Sequence, residues 1–138
     1  MAHTAGALTI VGNYVQTAAG IFQLDIGGLI AGSGFDLVTV TQLATLSGTL
    51  DISVLTGFTP TNGEIFKFLI TGSHSGTFGT VNGLNYGGGT FAVDYSQPGY
   101  VELAFSSNQQ PIPEPGTFLL LGSGLLSLSY GMRRRFKK

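Results

Sequence analysis

The sequence predicts an all-β fold, either a short β-solenoid or a sandwich-like β domain with closing hairpins, followed by one C-terminal transmembrane helix. Three observations predict it. Apolar and polar residues alternate with period two through much of residues 7–105. Glycine, which weakens helix interiors, occupies 22 of the 138 positions. An uncharged, leucine-rich run then fills residues 117–132.

The alternating runs predict the individual strands. In the run at 22–26, for example, three apolar residues alternate with Gln23 and Asp25, so one face is expected in a core and the other in water. The other clear runs and the further strand-like segments are 50–54, 66–70, 91–95, 7–11, 35–40 and 99–105. Glycine-rich turn signals separate them, which predicts about eight short strands.

The spacing of the strands leaves two architectures open. The centres Leu24, Leu37, Ile52 and Phe68 follow one another at 13, 15 and 16 residues. This loose spacing permits a solenoid, in which each rung buries its apolar side chains against the next, and it also permits a sandwich.

Composition excludes several classes of function. Only 9% of residues are charged and 43% are hydrophobic, whereas disordered chains are polar and highly charged. The absence of cysteine excludes disulfides, thiolate metal sites and a cysteine nucleophile. With only His3 and His74 available, we expect no metal site and no cofactor.

Charge divides the chain into two parts. Residues 1–112 hold six acids and one cation, Lys67, a net charge of −5, whereas residues 113–138 carry +4. A body so poor in cations cannot neutralise phosphates, so nucleic acid is excluded as a partner.

The C-terminal part predicts a membrane segment. A polar linker at 106–112 separates the body, residues 1–105, from Pro113, Glu114 and Pro115, where proline keeps the backbone extended. The 16 residues from Thr117 to Met132 would span about 24 Å as a helix, slightly less than the hydrocarbon core. The basic residues that follow are Arg133, Arg134, Arg135, Lys137 and Lys138. They are expected to stay in the cytoplasm, with the body across the membrane and folding without residues 113–138.

These three pieces in this order resemble the PEP-CTERM sorting domain, and the resemblance covers residues 111–138. It implies that an exosortase, a membrane enzyme, recognises Pro113–Pro115 and cuts nearby, after which the helix and the basic tail are discarded. It also implies transient insertion in the inner membrane, followed by secretion to the surface of a Gram-negative bacterium that makes exopolysaccharide.

The body is similar, more weakly, to the final rungs of autotransporter-like parallel β-helix passengers. The segments that carry this similarity are Gly32–Val40, Leu46–Ile52 and Gly57–Pro60. The resemblance implies that residues 64–105 form closing hairpins. Residues 1–6 contain no secretory signal, so we expect the chain to be the C-terminal piece of a longer reading frame or to begin at a mispredicted start.

Candidate chemical sites in the body favour structural interpretations. His74 occupies the position where a nucleophile elbow needs serine, so Gly72–Gly76 is interpreted as a polar turn. Asp36 lies in a single imperfect copy of a calcium repeat and is expected to accept backbone hydrogen bonds instead. Asp25 and Asp51 could approach each other on stacked rungs, as glycosidase carboxylates do, but are expected to point outward. The tyrosines that could stack on sugars, but are more typical of a core or rim, are Tyr14, Tyr86, Tyr95 and Tyr100.

The sequence thus predicts a surface protein that is not an enzyme and that serves as an adhesive or structural component of a biofilm matrix. Its expected partners are an exosortase, the inner membrane and, as a candidate, exopolysaccharide. Two alternatives stay open: a C-terminal fragment of a β-helical carbohydrate-active enzyme, and an uncleaved single-pass membrane protein.

Overall fold

The computed structural model describes residues 3–108, and this part of the chain is all-β with no helix, as predicted. The ten strands are β1 (Ala7–Ile10), β2 (Tyr14–Val15), β3 (Ile21–Ile26), β4 (Leu37–Leu46), β5 (Thr49–Val54), β6 (Ile65–Gly76), β7 (Thr80–Asn82), β8 (Asn85–Tyr86), β9 (Gly89–Asp94) and β10 (Tyr100–Ser107).

Most strands belong to two parallel stacks. The larger sheet has the order β1-β4-β6-β10-β9-β8, with β2 also paired to β4, and the smaller sheet has the order β3-β5-β7. Strands β1, β4 and β6 are parallel to one another, and so are β3, β5 and β7. The chain therefore visits one sheet, crosses to the other and returns, and we call each such circuit a rung.

The register gives the length of a rung. Ala7 pairs with Leu37, Ile21 with Thr49, and Thr49 with Thr80, which are separations of 30, 28 and 31 residues. The predicted spacing of 13 to 16 residues is therefore the step from one sheet to the other, and two such steps complete one rung.

Antiparallel strands close one end of the larger sheet. Strand β10 lies between β6 and β9 and is antiparallel to both, and β8 forms a hairpin with β9. The antiparallel part thus begins at residue 85, and the expectation that residues 64–105 form closing hairpins is wrong for 64–82. There β6 and β7 continue the parallel stacks, because their backbones pair with β4 and β5.

The last strand also extends beyond the boundary expected at residue 105. Ser106 and Ser107 continue the ladder opposite Thr90 and Gly89. Backbone pairing with β9 keeps these residues in the strand although their side chains are polar. The first two residues of the expected polar linker therefore belong to the sheet.

The core lies between the two sheets. As the alternation predicts, Phe22 and Leu24 of β3 and Phe66 and Phe68 of β6 are buried. The ring centroids of Phe22 and Phe68 lie 5.6 Å apart, and those of Phe66 and Phe35 lie 5.3 Å apart, both edge to face. Such pairs add roughly 0.5–1.5 kcal/mol each beyond the area they bury.

One corner of the rungs depends on glycine. Gly48 joins β4 to β5 with φ of +71°, and its carbonyl accepts the Gly79 N–H at 2.7 Å. On its other side, a Cβ at position 48 would lie 2.5 Å from the carbonyl oxygens of both Gly20 and Thr17. Backbone from neighbouring rungs therefore encloses Gly48, and only a residue without a side chain fits there.

In residues 3–108 there is no helix long and apolar enough to cross a membrane. The transmembrane helix expected at residues 117–132 lies outside the described residues.

Candidate functional site

The residues predicted to direct sorting lie outside the part that the structure describes. They are Pro113, Glu114 and Pro115, the span from Thr117 to Met132, and Arg133, Arg134, Arg135, Lys137 and Lys138. The structure does describe the junction from which this segment leaves the body, at residues 105–108.

Backbone hydrogen bonds hold the junction in place. The Ser107 N–H donates to the Asn62 side-chain oxygen at 2.8 Å, and the Asn108 N–H donates to the Gly88 carbonyl at 2.5 Å. The chain is thus attached to the folded body as far as Asn108.

The loop before β6 supports the same strand. Phe105 exchanges backbone hydrogen bonds with this loop, accepting from the Gly63 N–H and donating to the Glu64 carbonyl, both at 2.9 Å. The Glu64 carboxylate in turn accepts hydrogen bonds from the Thr61 N–H and hydroxyl, at 3.0 and 2.6 Å. An open cleft of about 300 Å³ lies beside the junction, between residues 59–62 and 86–88, and no charged side chain lines it.

A second candidate site surrounds Asp25, which the sequence analysis places on the solvent face of β3. That prediction is wrong, since only 5% of Asp25 is exposed. Its side chain contacts His3, with 3.2 Å between Oδ2 and Nδ1, and accepts a hydrogen bond from the Gln23 amide at 3.1 Å. Asp36 binds the Asp25 backbone, so the segment that follows β3 folds back over the end of that strand.

A cleft of about 670 Å³ adjoins the His3–Asp25 pair and is also lined by Ser33 and Ser53. Nucleophilic catalysis would need a hydroxyl hydrogen-bonded to the histidine. In the described chain His3 makes its hydrogen bond to Asp25, and the Ser53 hydroxyl accepts from the Gln23 amide at 3.1 Å. The cleft therefore holds an oriented histidine but no serine–histidine pair.

Asp36 has the structural role that the sequence predicts. One carboxylate oxygen accepts the Gly6 N–H at 2.7 Å and the other accepts the Asp25 N–H at 2.8 Å. Within residues 3–108, no three His, Asp or Glu side chains are grouped so that they could hold a metal ion. Asp36 thus joins the segment before β1 to the end of β3.

The register also separates the carboxylates considered for glycoside hydrolysis. Asp51 of β5 lies opposite Gln23 on one side and Asn82 on the other, and Asp25 lies opposite Ser53. Each acid in these ladders therefore has amides or a hydroxyl, not a second acid, as its direct cross-strand neighbour.

His74 lies in a strand, so the interpretation of Gly72–Gly76 as a turn is wrong. The segment is the last part of β6, where His74 pairs with Ala44 of β4. The His74 ring nitrogen Nε2 donates to the Gln97 carbonyl at 2.5 Å. Here pairing with β4 outweighs the local turn preference of glycine and serine.

The tyrosines are half-buried parts of the fold. The Tyr14 hydroxyl donates to the Gln16 side chain at 2.6 Å, and the Tyr95 hydroxyl accepts the Phe78 N–H at 3.1 Å. Burial raises the pKa of both phenols above its ordinary value. Tyr100 lies beneath Lys67, whose Nζ is 3.8 Å from the ring centroid, and Tyr86 lines the cleft at the junction.

Gln16 is an important residue that the sequence analysis does not identify. It is 4% exposed, and its amide nitrogen lies within hydrogen-bond distance of the carbonyls of Ser47, Thr49 and Gly20, at 2.8, 3.1 and 3.3 Å. Gln16 thus fastens the glycine corner across two rungs. Nothing local marks it, because it lies in a short stretch of mixed polar and small residues.

Comparison with known protein families finds a match at the C-terminus, where residues 111–135 match the PEP-CTERM protein-sorting motif. No curated protein matches the chain. The match supports the sorting-domain resemblance and leaves the autotransporter-like resemblance of the body a prediction. The motif implies a membrane-anchored precursor that an exosortase processes and that is destined for the cell surface.

Proposed function

We propose that this chain is a structural or adhesive protein of the biofilm matrix of a Gram-negative bacterium, and that it is not an enzyme. The observation that carries the proposal is the sorting motif at residues 111–135, attached to a compact all-β body. Exopolysaccharide is the proposed matrix partner.

In this proposal Thr117–Met132 crosses the inner membrane as a helix and Arg133–Lys138 stays in the cytoplasm. The absence of charge from the apolar run and the cost of moving arginine through lipid support this orientation. Exosortase then recognises Pro113–Pro115 and cuts nearby, and the membrane segment is discarded.

The junction limits how far the body can stand from the cut. Asn108 is hydrogen-bonded to the body, and Pro113 follows five residues later. Five extended residues span at most about 18 Å. The enzyme must therefore work close to a folded domain, and the polar residues 108–110 serve as a short spacer.

For the body we propose a three-rung β-solenoid. Its support is the parallel pairing of β1, β4 and β6 and of β3, β5 and β7, at separations of 28 to 31 residues. A structural role is supported by Asp36, Asp25 and His74, whose polar atoms bind other parts of the fold.

Mass spectrometry of the surface-released protein tests the sorting proposal. The full chain, supplied with an export signal, is expressed in a host that has an exosortase. We expect mature protein that lacks the residues after about Pro115. Glu114→Gln should leave the full-length form in the inner membrane, whereas Glu102→Gln, the same chemical change within β10, should be processed normally.

Release of protein that still ends at Lys138 would overturn the cleavage proposal, and full-length protein that stays in the membrane would favour the uncleaved anchor. The matrix role has its own test, co-sedimentation of the mature protein with exopolysaccharide purified from the host. Protein that stays in the supernatant at every polysaccharide concentration would contradict that role.

A further inference from the structure

The two ends of the larger sheet differ. At one end β10 and the β8–β9 hairpin continue the sheet beyond β6. At the other end β1 pairs only with β4, and in the smaller sheet β3 pairs only with β5. The first rung therefore presents two strand edges whose backbone N–H and C=O groups are free to pair with another chain. We call this surface, formed by β1, β2 and β3, the open end.

The open end also exposes apolar side chains. Leu8, Val15 and Ile21 are 57%, 64% and 67% exposed, although each belongs to a strand of the first rung. A hollow of about 180 Å³, lined partly by Leu8, Ile21 and Phe22, leads from this surface toward the core. A surface of this kind gains free energy when apolar atoms cover it.

The usual protection of a strand edge is missing here. Exposed edges are normally blocked by charged side chains, prolines or very short strands. Residues 7–24 contain no Asp, Glu, Lys, Arg or Pro. The remaining free edge of the smaller sheet, β7, is only three residues long and consists of Thr80, Val81 and Asn82.

We propose that the open end binds a second copy of this chain, in a two-fold dimer whose β1 strands pair antiparallel. The open end is neutral, so two copies meet there without charge repulsion. The rest of residues 3–108 carries six acids and one lysine, so contact through other faces brings like charges together. Because β8–β10 cover the opposite end of the larger sheet, this association closes at two copies and does not continue as a filament.

The size of the surface is sufficient for a specific dimer. Residues 7–15 run along the rung for about 30 Å, and two sheets about 10 Å apart with their outer side chains give a depth of about 20 Å. Each copy then covers about 600 Å², a total of about 1,200 Å², which is the lower limit for stable protein interfaces. Backbone hydrogen bonds between the β1 strands add to this contact.

Disulfide formation in the full-length chain, purified in mild detergent, tests the proposal, because the chain has no native cysteine. Thr9→Cys places a thiol at the outward-facing centre of β1, and Ala7→Cys places one a step away on the same face. Opposite residues in antiparallel strands have Cα atoms about 4.5–5.5 Å apart, within the range that a disulfide spans. Thr80→Cys, an exposed threonine on the β7 edge, is the matched control.

At a chain concentration of about 10 µM, we expect one of the two β1 variants to form a disulfide-linked dimer about a hundredfold faster than Thr80→Cys, since prior association raises the effective thiol concentration to the millimolar range. Adding Leu8→Lys to that variant should return the rate to that of the control. Val15→Lys should do the same, and both positions are exposed enough to leave the circular dichroism spectrum unchanged.

Three results would overturn the dimer. The first is equal rates for the β1 variants and the control, and the second is faster linkage through residue 80. The third is a cysteine at residue 9 that a small thiol reagent cannot reach while the chain is monomeric, which would mean that other residues of the same chain cover the open end.

Discussion

Replacing Gly48 by alanine should destabilise the body more than the same change at any open glycine turn. Gly48 has φ of +71°, and a Cβ there would lie 2.5 Å from the carbonyl oxygens of Gly20 and Thr17. Both obstacles are backbone atoms of the first rung, which cannot rotate away as a flexible side chain can.

The expected loss has two parts. Left-handed backbone costs an L-residue roughly 1–2 kcal/mol. Forcing an extra carbon into a packed site costs about 1–3 kcal/mol more. Gly48→Ala should therefore lower the free energy of unfolding by about 2–5 kcal/mol, a large part of the 5–15 kcal/mol typical of a domain.

Gly63→Ala is the matched control. Gly63 has a similar φ of +91°, but a Cβ there has no atom within 4 Å. It should lose only the backbone contribution, about 1–2 kcal/mol. The reduced entropy of the unfolded chain is the same for both variants and cancels in the comparison.

The assay is urea unfolding of residues 1–112, which are predicted to fold without the sorting segment. The midpoint of Gly48→Ala should lie clearly below that of Gly63→Ala, with similar slopes, because the same surface is exposed on unfolding. Equal midpoints for the two variants would refute the close packing of the glycine corner.

Two further predictions follow from individual contacts. Asp36→Asn should lower the free energy of unfolding by about 1.5–3 kcal/mol, because one of two charge-assisted backbone hydrogen bonds must face an amide N–H instead; Asp51→Asn, the control, should change it by less than about 0.5 kcal/mol. Millimolar calcium should leave the melting temperature of the unmodified body unchanged, and a rise of many degrees would contradict the backbone-binding role of Asp36. Because burial raises the pKa of Tyr14 and Tyr95 above the ordinary 10.0, the unfolded chain loses these protons first as pH rises. Stability should therefore be constant with respect to these groups below about pH 9 and fall above about pH 10, and Tyr14→Phe should reduce that fall in urea midpoints measured across this range; an undiminished fall would exclude Tyr14 as a contributor.

The strands could be predicted from sequence because their signal is local. Phe22 and Leu24, like Phe66 and Phe68, show which face is buried through simple alternation. The rung length could not be read directly, because successive strands lie in different sheets and the equivalent residues, such as Leu24 and Ile52, lie 28 positions apart.

The errors concern residues whose environment is set by distant parts of the chain. Alternation places Asp25 outward, but His3 and Asp36, 22 residues before and 11 after it, enclose it. The glycines and serines around His74 favour a turn, but β4 supplies a ladder partner that no local pattern reveals. Gln16 was missed because its three carbonyl neighbours are assembled only when two rungs stack.

The sorting motif is the opposite case. Its signal consists of a proline–glutamate–proline triplet, an apolar run and a basic end in sequence order, and it needs no tertiary contact to be recognised. For this reason the residues of the motif could be named before any fold was known, whereas the chemistry of the body could not.

The position of β10 has a mechanical consequence for a body tethered by its C-terminus. Any pull transmitted through the tether enters the fold at Ser107 and acts along β10, which is hydrogen-bonded to β6 on one side and β9 on the other. Because these hydrogen bonds run perpendicular to the strands, the force loads both ladders in shear at once and does not peel them open pair by pair. The tether is thus joined to the strand best placed to bear tension, so a pulled body should hold its fold while the membrane segment is still attached.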